Sequence, residues 1–409
     1  MTANDDIVAR IAGADPWLVD LVPAGEVADL GARELLHAGP PLADWDEARR
    51  VGALRGAILG ALVHLGWAGD LNEAEAAAAA GEIALRPAND AGGGGTYAGV
   101  IARETPVLVV ENRAAGVRAF AAINEGRGKA LRYGANDADT LARLAWIEGE
   151  FAELLGAAVR RSAGIDLGAI LVQALHMGDD GHSRQKAASA LLMNALAPHM
   201  AACAADGAGL ERALAFMAAN DIFFLPLTIG AAKSTMAAAA AEAGGSVVTC
   251  MSANGVRFGI KVSGLGERWI TAPVPEVNGK FFEGYGPADA NPVIGDSEIS
   301  ETMGLGAFAM AGAPALAAYV GGTPAEAMRL ALEMYAITAA EHPRFRIPQL
   351  DYRGTPLAID VHKVVERGIT PLFNTGIAHR TPGIGQIGAG FVRTPMACFA
   401  AAREALAAT

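Results

Sequence analysis

The chain has 409 residues, 52% of them hydrophobic, and 44 acids against 32 bases give a net charge of −12. That is apolar side chain enough for two or three cores, while an acidic surface repels phosphate backbones and excludes nucleic acid as a partner. The cysteines, Cys203, Cys250 and Cys398, are far apart with no CxxC, which suits a reduced cytoplasm and offers neither a zinc nor a disulfide framework.

In chain order, "MTANDDIVARIAG" opens with acids and lacks an apolar segment, so no signal peptide is expected. "RVGALRGAILGALVHLGWA" (50–68) has helical apolar spacing, and "TPVLVVEN" (105–112) reads as a buried strand. Between them "PANDAGGGGTYAG" (87–99) reads either as an anion-cradling glycine run or as a flexible surface loop. From 138 to 243 the pattern is nearly all helical, with helices expected over "DADTLARLAWIEGEFAELLGAAVRRS" (137–162), 165–175, 184–202 and 208–219. After 244 it turns to strands: "SVVTCMS", "VRFGIKVSG" and "RWITAPV", with Asn254-Gly255 as a hairpin signal, predict an antiparallel meander. The stretch 302–325 carries no charge, but its glycine, alanine and Pro314 suit a tightly packed buried helix better than a membrane span. A helix "IDVHKVVERG", a strand "ITPLFNTGI" and a last helix "PMACFAAAREALAA" complete the chain. The expected class is α+β: an N-terminal α+β domain (1–137), a small helical domain (138–243) and a C-terminal α+β domain (244–409).

Five stretches carry candidate chemistry. "HMGDDGHSR" (176–184) crowds two histidines, two aspartates and an arginine into one interhelical turn. The histidines are not at the i, i+4 spacing of a helical metal pair, although aspartates beside them could hold a divalent cation, the one cofactor the sequence suggests. The same groups could act on substrate, orient an imidazole or cap the following helix. "TPGIGQIGAGFVRTP" (381–395) formally contains GxGxxG at Gly383, Gly385 and Gly388, but the chain ends before a Rossmann unit can form. An anion-binding glycine turn beside Arg393 remains. "EHPRFRIPQLDYRGTP" (341–356) sets Arg344, Arg346 and Arg353 among prolines and apolar residues, where they could bind carboxylate or phosphate, or pair with Glu341, Asp351 or Asp360. In "YGPADANPVIGDSEISETMG" (285–304), Asp296-Ser297 reads as a helix N-cap.

Together "HMGDDGHSR", "VSGLGERWITAPVP", "DANPVIGDSEISETMGLGAFAMAGAP", "EHPRFRIPQLDYRGTPLAIDVHKVVERGI" and "NTGIAHRTPGIGQIGAGFVRTPMACF" resemble the YlbE-like bacterial family. That family includes the large subunit of oxamate carbamoyltransferase, from anaerobic allantoin degradation. The resemblance implies two α+β domains with a small helical one, and a carbamoyltransferase-type enzyme or subunit moving a carbamoyl group between carbamoyl phosphate and a small acid such as oxamate. Partner subunits or a homo-oligomer are implied, and a cytoplasmic, membrane-free setting. Carbamoyl phosphate needs cationic or N–H donors, and an amine acceptor needs a base. On this reading the glycine turn at Gly383, Gly385 and Gly388 with Arg393 would hold phosphate. Arg344, Arg346 or Arg353 would bind carboxylate, and His182 or His379 would be the base. Asp179 joins the catalytic candidates, and Arg184, Asn291 and Asn374 the substrate-binding ones. Where relatives carry histidines before "AGVI", this chain has "ANDAGGGGTY", a departure that touches the acceptor. The competing readings are a metal-dependent amidohydrolase-like enzyme built on the His/Asp loop, and a non-catalytic subunit of a multi-chain complex.

Overall fold

In the computed structural model, which describes residues 2–126, 128–241 and 244–408, helices alternate with several small sheets. The chain is α+β. The strand expected over 105–112 forms as Pro106–Asn112, buried at every position except Glu111, inside a five-stranded sheet. Val117–Ala122 and Pro16–Pro23 flank it antiparallel, and Gly93–Gly94 and Ile165–Asp166 close the two edges. The helix Leu225–Ala240 packs on this sheet along a face of small residues. At Gly230 a β-carbon would stand 2.7 Å from Val110 Cγ2, so only glycine allows that approach.

The helical stretch begins where an aspartate can receive free backbone N–H groups. Asp137, Asp166 and Asp206 each cap a helix, accepting from Thr140, Ala169 and Gly209. The long helix expected over 137–162 runs as Ala138–Trp146, a π-helical turn Ile147–Phe151 and Ala152–Arg161. Leu167–His176, Lys186–Cys203 and Gly207–Ala219 follow close to their expected bounds. Phe151 is the hub of an aromatic group, with ring centroids 5.5 Å from Trp146, 5.0 Å from Phe216 and 5.9 Å from Phe223.

The expected meander forms from Val248–Asn254, Arg257–Val262 and Ile270–Pro273, with Ile294–Gly295 as a fourth strand. Gly255 takes the left-handed conformation its turn requires, at φ +85°, while the Asn254 side chain accepts from the Val256 and Arg257 N–H groups. Leu372–Ala378 pairs antiparallel with Gln386–Arg393, whose other edge takes Asn278–Phe281.

One expected element does not form. The uncharged stretch is buried from Thr302 to Ala313 but exposed at Pro314, Ala315 and Thr323 to Ala325, and it is not one helix. A short turn of helix, Ile299–Thr302, gives way to single 3-10 turns at Gly306–Phe308 and Met310–Gly312, and Pro314 starts a separate helix, Pro314–Val320. Gly304 at φ +82° and Gly306 at φ +61° are left-handed and break the helix before it can extend. Replacing Phe151 by alanine should lower the unfolding free energy by about 3–5 kcal/mol, read from urea denaturation. A loss under about 1 kcal/mol would show that the aromatic group is not a principal support of the helical layer.

Candidate functional site

The loop "HMGDDGHSR" joins Leu167–His176 to Lys186–Cys203, and the structure separates its two histidines. His176 stays exposed at a helix end with its ring edge-on to Tyr352, whereas His182 is buried. The aspartates hold the loop. Asp180 Oδ1 accepts from the His182 and Arg184 N–H groups at 3.0 and 2.8 Å, and its Oδ2 accepts from Asn374 Nδ2 at 2.6 Å. Asp179 accepts from Arg184 Nη1 at 2.5 Å and from the Ala188 N–H at 2.9 Å, so an acid does serve the start of the following helix. Burial pushes the Asp179 carboxyl up to about 6 against the pull of those donors.

Facing His182 is Glu301, fully buried on Ile299–Thr302. His182 Nδ1 lies 2.9 and 3.1 Å from the two Glu301 oxygens. The Ala307 and Asn374 N–H groups donate to Glu301 Oε1 at 3.1 and 3.3 Å. Gly306 makes the pair possible: a β-carbon there would stand 2.1 Å from Glu301 Oε1 and 3.0 Å from His182 Cβ. Burial alone would lower the imidazole, but the Glu301 charge and hydrogen bond, with Asp180 and Glu298 behind, push it up to about 9. His182 is therefore an imidazolium at neutral pH, with Nε2–H left for a ligand.

Two more acids surround the pair. Glu298 is 1% exposed, and neither carboxyl oxygen has a hydrogen-bond partner among the described residues. Burial, reinforced by Asp296 and Glu301, pushes it up to about 8. Asp296 does not cap a helix as its sequence suggests. Its carboxylate reaches across to accept from Thr96 N–H, Thr96 Oγ1–H and Tyr97 N–H at 3.2, 2.9 and 3.3 Å. The glycine run is accordingly no exposed loop: Gly93 to Ala98 are buried, and the Thr96 and Tyr97 N–H groups serve Asp296.

His182 and Ser183 open onto a cleft lined also by Tyr97, Arg132, Asn291 and Thr375. Among the described lining residues the charged side chains are Arg132 and His182, with no carboxylate. Asn291 is held by the Ala53 N–H donating to its Oδ1 at 3.3 Å. Asn374 stands one residue from the lining Thr375, fixed by Asp180. Arg132 was not singled out in the sequence. It sits in "GKALRYGAND" with no recognisable motif, and only its setting between Leu131 and Tyr133, before Gly134, hinted at a buried turn.

The other expected residues lie outside this lining. His379 adjoins the lining Ala378, its Nδ1 accepting from the Thr381 N–H at 2.8 Å and its Nε2 4.0 Å from Asp289. Arg184 borders a neighbouring hollow that shares Ser183 and Tyr319 with the cleft. Arg344 and Arg346 are exposed and donate to the Ala14 and Pro343 carbonyls. Arg353 pairs with Glu341 at 2.6 Å over the Tyr335 ring, and Arg393 is committed to Glu333 and the Thr370 carbonyl. Gly383 and Gly385 occupy a left-handed turn at φ +91° and +98°. Gly388 is inside the strand Gln386–Arg393, where a β-carbon would meet the Lys280 carbonyl at 2.5 Å. Among the described residues no group of three or more His, Cys, Asp or Glu is placed to hold a metal ion. No helix there is long and apolar enough to cross a membrane.

The whole fold recurs in a crystal structure of a conserved protein of unknown function from Enterococcus faecalis V583, with a TM-score of 0.97 at 42% identity over 100% of this chain and 97% of that one. Residues 83–297 match the family model described as oxamate carbamoyltransferase subunit AllG. The Escherichia coli K12 protein of that description is 44% identical over 99% of this chain and 97% of its own length. An uncharacterized protein of the same organism, YahG, is 41% identical over 97% of this chain and 84% of its own. The chain belongs to the family of oxamate carbamoyltransferase subunit AllG.

Glu298 and His182 make stability fall with rising pH, while His37 and His342, which burial pushes down to about 4 and about 3, act in the opposite sense below 6.5. Glu298 keeps its proton in the fold to about pH 8 but releases it near 4.5 when unfolded, so stability drops as pH rises through that window. His182, raised from 6.5 to about 9, contributes stability that is complete below 6.5 and lost as pH rises through 9. Glu298→Gln should flatten the fall over the first window and leave the second, measured by urea unfolding across the pH range. A Glu298→Gln profile that falls as steeply from pH 5 to 8 as wild type would contradict the protonated state of Glu298.

Proposed function

We propose that this chain carries the small-molecule site of a carbamoyltransferase that works on oxamate or a similar acid amide, and that it acts with partner subunits. The observation supporting this reading is the His182–Glu301 pair on the wall of a cleft whose charged lining is cationic. Both expected reactants, carbamoyl phosphate and a small carboxylate, are anions, and a cleft with Arg132 and His182 but no acid suits them. Family membership supplies the reaction class.

In the proposed step, the acceptor amide nitrogen attacks the carbonyl carbon of carbamoyl phosphate. A C–N bond forms, the C–O bond to phosphate breaks, and the acceptor proton leaves with phosphate or solvent. Glu301 keeps His182 charged, so the imidazole serves better as a donor than as the base its residue type suggests. Its Nε2–H would stabilise the developing oxyanion or the departing phosphate. Gly306 and the Ala307 and Asn374 N–H groups keep Glu301 in place for that role.

The relative's name describes a subunit, so the assay uses the assembled complex, with oxamate and carbamoyl phosphate supplied and phosphate release followed. His182→Gln should lower turnover about 10²-fold or more. Gly306→Ala should also reduce it, by displacing Glu301, while leaving His182 in the chain. Full activity in folded complexes carrying His182→Gln would reject the site, and inactivity of the wild-type complex with both substrates would reject the reaction.

A further inference from the structure

Arg132 is 4% exposed, yet its guanidinium is largely unanswered. Nη2 donates to the Gly126 carbonyl at 2.7 Å, whereas Nε and Nη1 have no hydrogen-bond partner among the described residues. A buried charged donor without an acceptor is costly, and such groups are retained where something else completes them. The nearby Glu125 does not do so through hydrogen bonds. Its two carboxyl oxygens accept from the Leu131 and Arg132 backbone N–H groups at 3.0 and 3.1 Å, so it holds the turn rather than the fork.

The fork is also held in one orientation. Its central carbon lies 4.5 Å from the Tyr97 ring centroid and 4.8 Å from that of Tyr133, and both tyrosines line the cleft. Tyr97 is itself placed by Asp296 and by Asn124, which donates to its hydroxyl at 3.3 Å. Arg132 borders a second, small cavity, but Glu125 and Glu148 line that side and would repel an anion. The cleft side has no carboxylate and has His182 as a second cation. The arginines singled out from the sequence differ in kind: Arg353 and Arg393 are neutralised by Glu341 and Glu333, and Arg344 and Arg346 face solvent.

We propose that Arg132 is the oxyanion anchor of the cleft, a positively charged fork clamped between Tyr97 and Tyr133 that receives the carboxylate of the acid substrate or the phosphoryl group of the carbamoyl donor. This rests on reading the cleft as the substrate site, and adds which group of the substrate is recognised and by what. Guanidinium and carboxylate or phosphate match in a planar two-bond geometry that lysine cannot reproduce. The anchor fixes one end of the ligand and leaves its amide or carbamoyl end free to approach His182.

The test is calorimetric titration of the full-length chain with oxamate, with its neutral counterpart oxamide and with inorganic phosphate, for wild type, Arg132→Lys and Arg132→Gln. Wild type should bind oxamate at least tenfold more tightly than oxamide. Arg132→Gln should erase that preference, and Arg132→Lys should keep only part of it. Loss of phosphate binding with oxamate unaffected would make the phosphoryl group the occupant, and the reverse would make it the carboxylate. Unchanged affinity for both anions in a folded Arg132→Gln chain overturns the proposal. If that variant does not fold, wild type decides: neither a preference for oxamate over oxamide nor phosphate binding overturns it equally. Failure of the carbamoyl reading is separable, because the anion preference would then persist in a complex that transfers nothing.

Discussion

The imidazolium–carboxylate contact between His182 and Glu301 is the constraint around which the centre of the molecule is arranged. Two opposite charges out of water are stable only where geometry and additional hydrogen bonds offset their lost hydration. Here the additional bonds come from the Ala307 and Asn374 N–H groups, and the space comes from Gly306, whose missing β-carbon is occupied by the carboxylate. Asp180 ties the same loop to Asn374 on the strand Leu372–Ala378. Segments distant in sequence, the 176–184 loop, the 296–307 turn and the 372–378 strand, are thereby bound into one polar centre. Each needs the others to satisfy its buried groups.

That dependence explains what could be read in advance and what could not. The helices of the middle stretch were legible because local rules act on them alone: Asp137, Asp166 and Asp206 stand where helices begin, with apolar residues at helical spacing behind. The strand Pro106–Asn112 and the Asn254-Gly255 hairpin were legible for the same reason. The 302–325 stretch was not. Alanine and glycine bring no periodicity, and the left-handed turn at Gly306 is demanded by Glu301 and His182 rather than by neighbours in sequence. Asp296 looked like a helix cap because Asp-Ser before a helix usually is one. Its actual donors, Thr96 and Tyr97, lie two hundred residues away.

The candidate site divides along the same line. His182 was visible because polar residues crowded into one interhelical turn are unusual, but its partner Glu301 was visible only in three dimensions. The arginines were misjudged by residue type. Clustering among prolines drew notice to Arg344, Arg346 and Arg353, all exposed in the fold, while a buried, partly satisfied arginine has no signature in sequence. What distinguishes Arg132 is that its Nε and Nη1 have no acceptor among the described residues, which only the surroundings reveal.

A cationic cleft in a chain of net charge −12 has a further physical consequence. The surface field opposes approach of a small anion at long range, and salt screens that repulsion beyond about 8–10 Å. Inside the cleft, lower dielectric and fixed orientation make Arg132 and His182 far more effective than exposed lysines would be. The two charges are not equivalent, because Glu301 compensates His182 directly, whereas the donors of Arg132 await a partner. An arriving oxyanion thus relieves a buried deficit as it binds, so ligand affinity and stability of the site are coupled through the same guanidinium. In the proposed reaction the imidazolium, already balanced by Glu301, would turn its Nε2–H to the charge that develops. In that proposal the Arg132 contact stabilises bound substrate and transition state alike, and only a donor that meets charge developing in the reaction would lower the barrier.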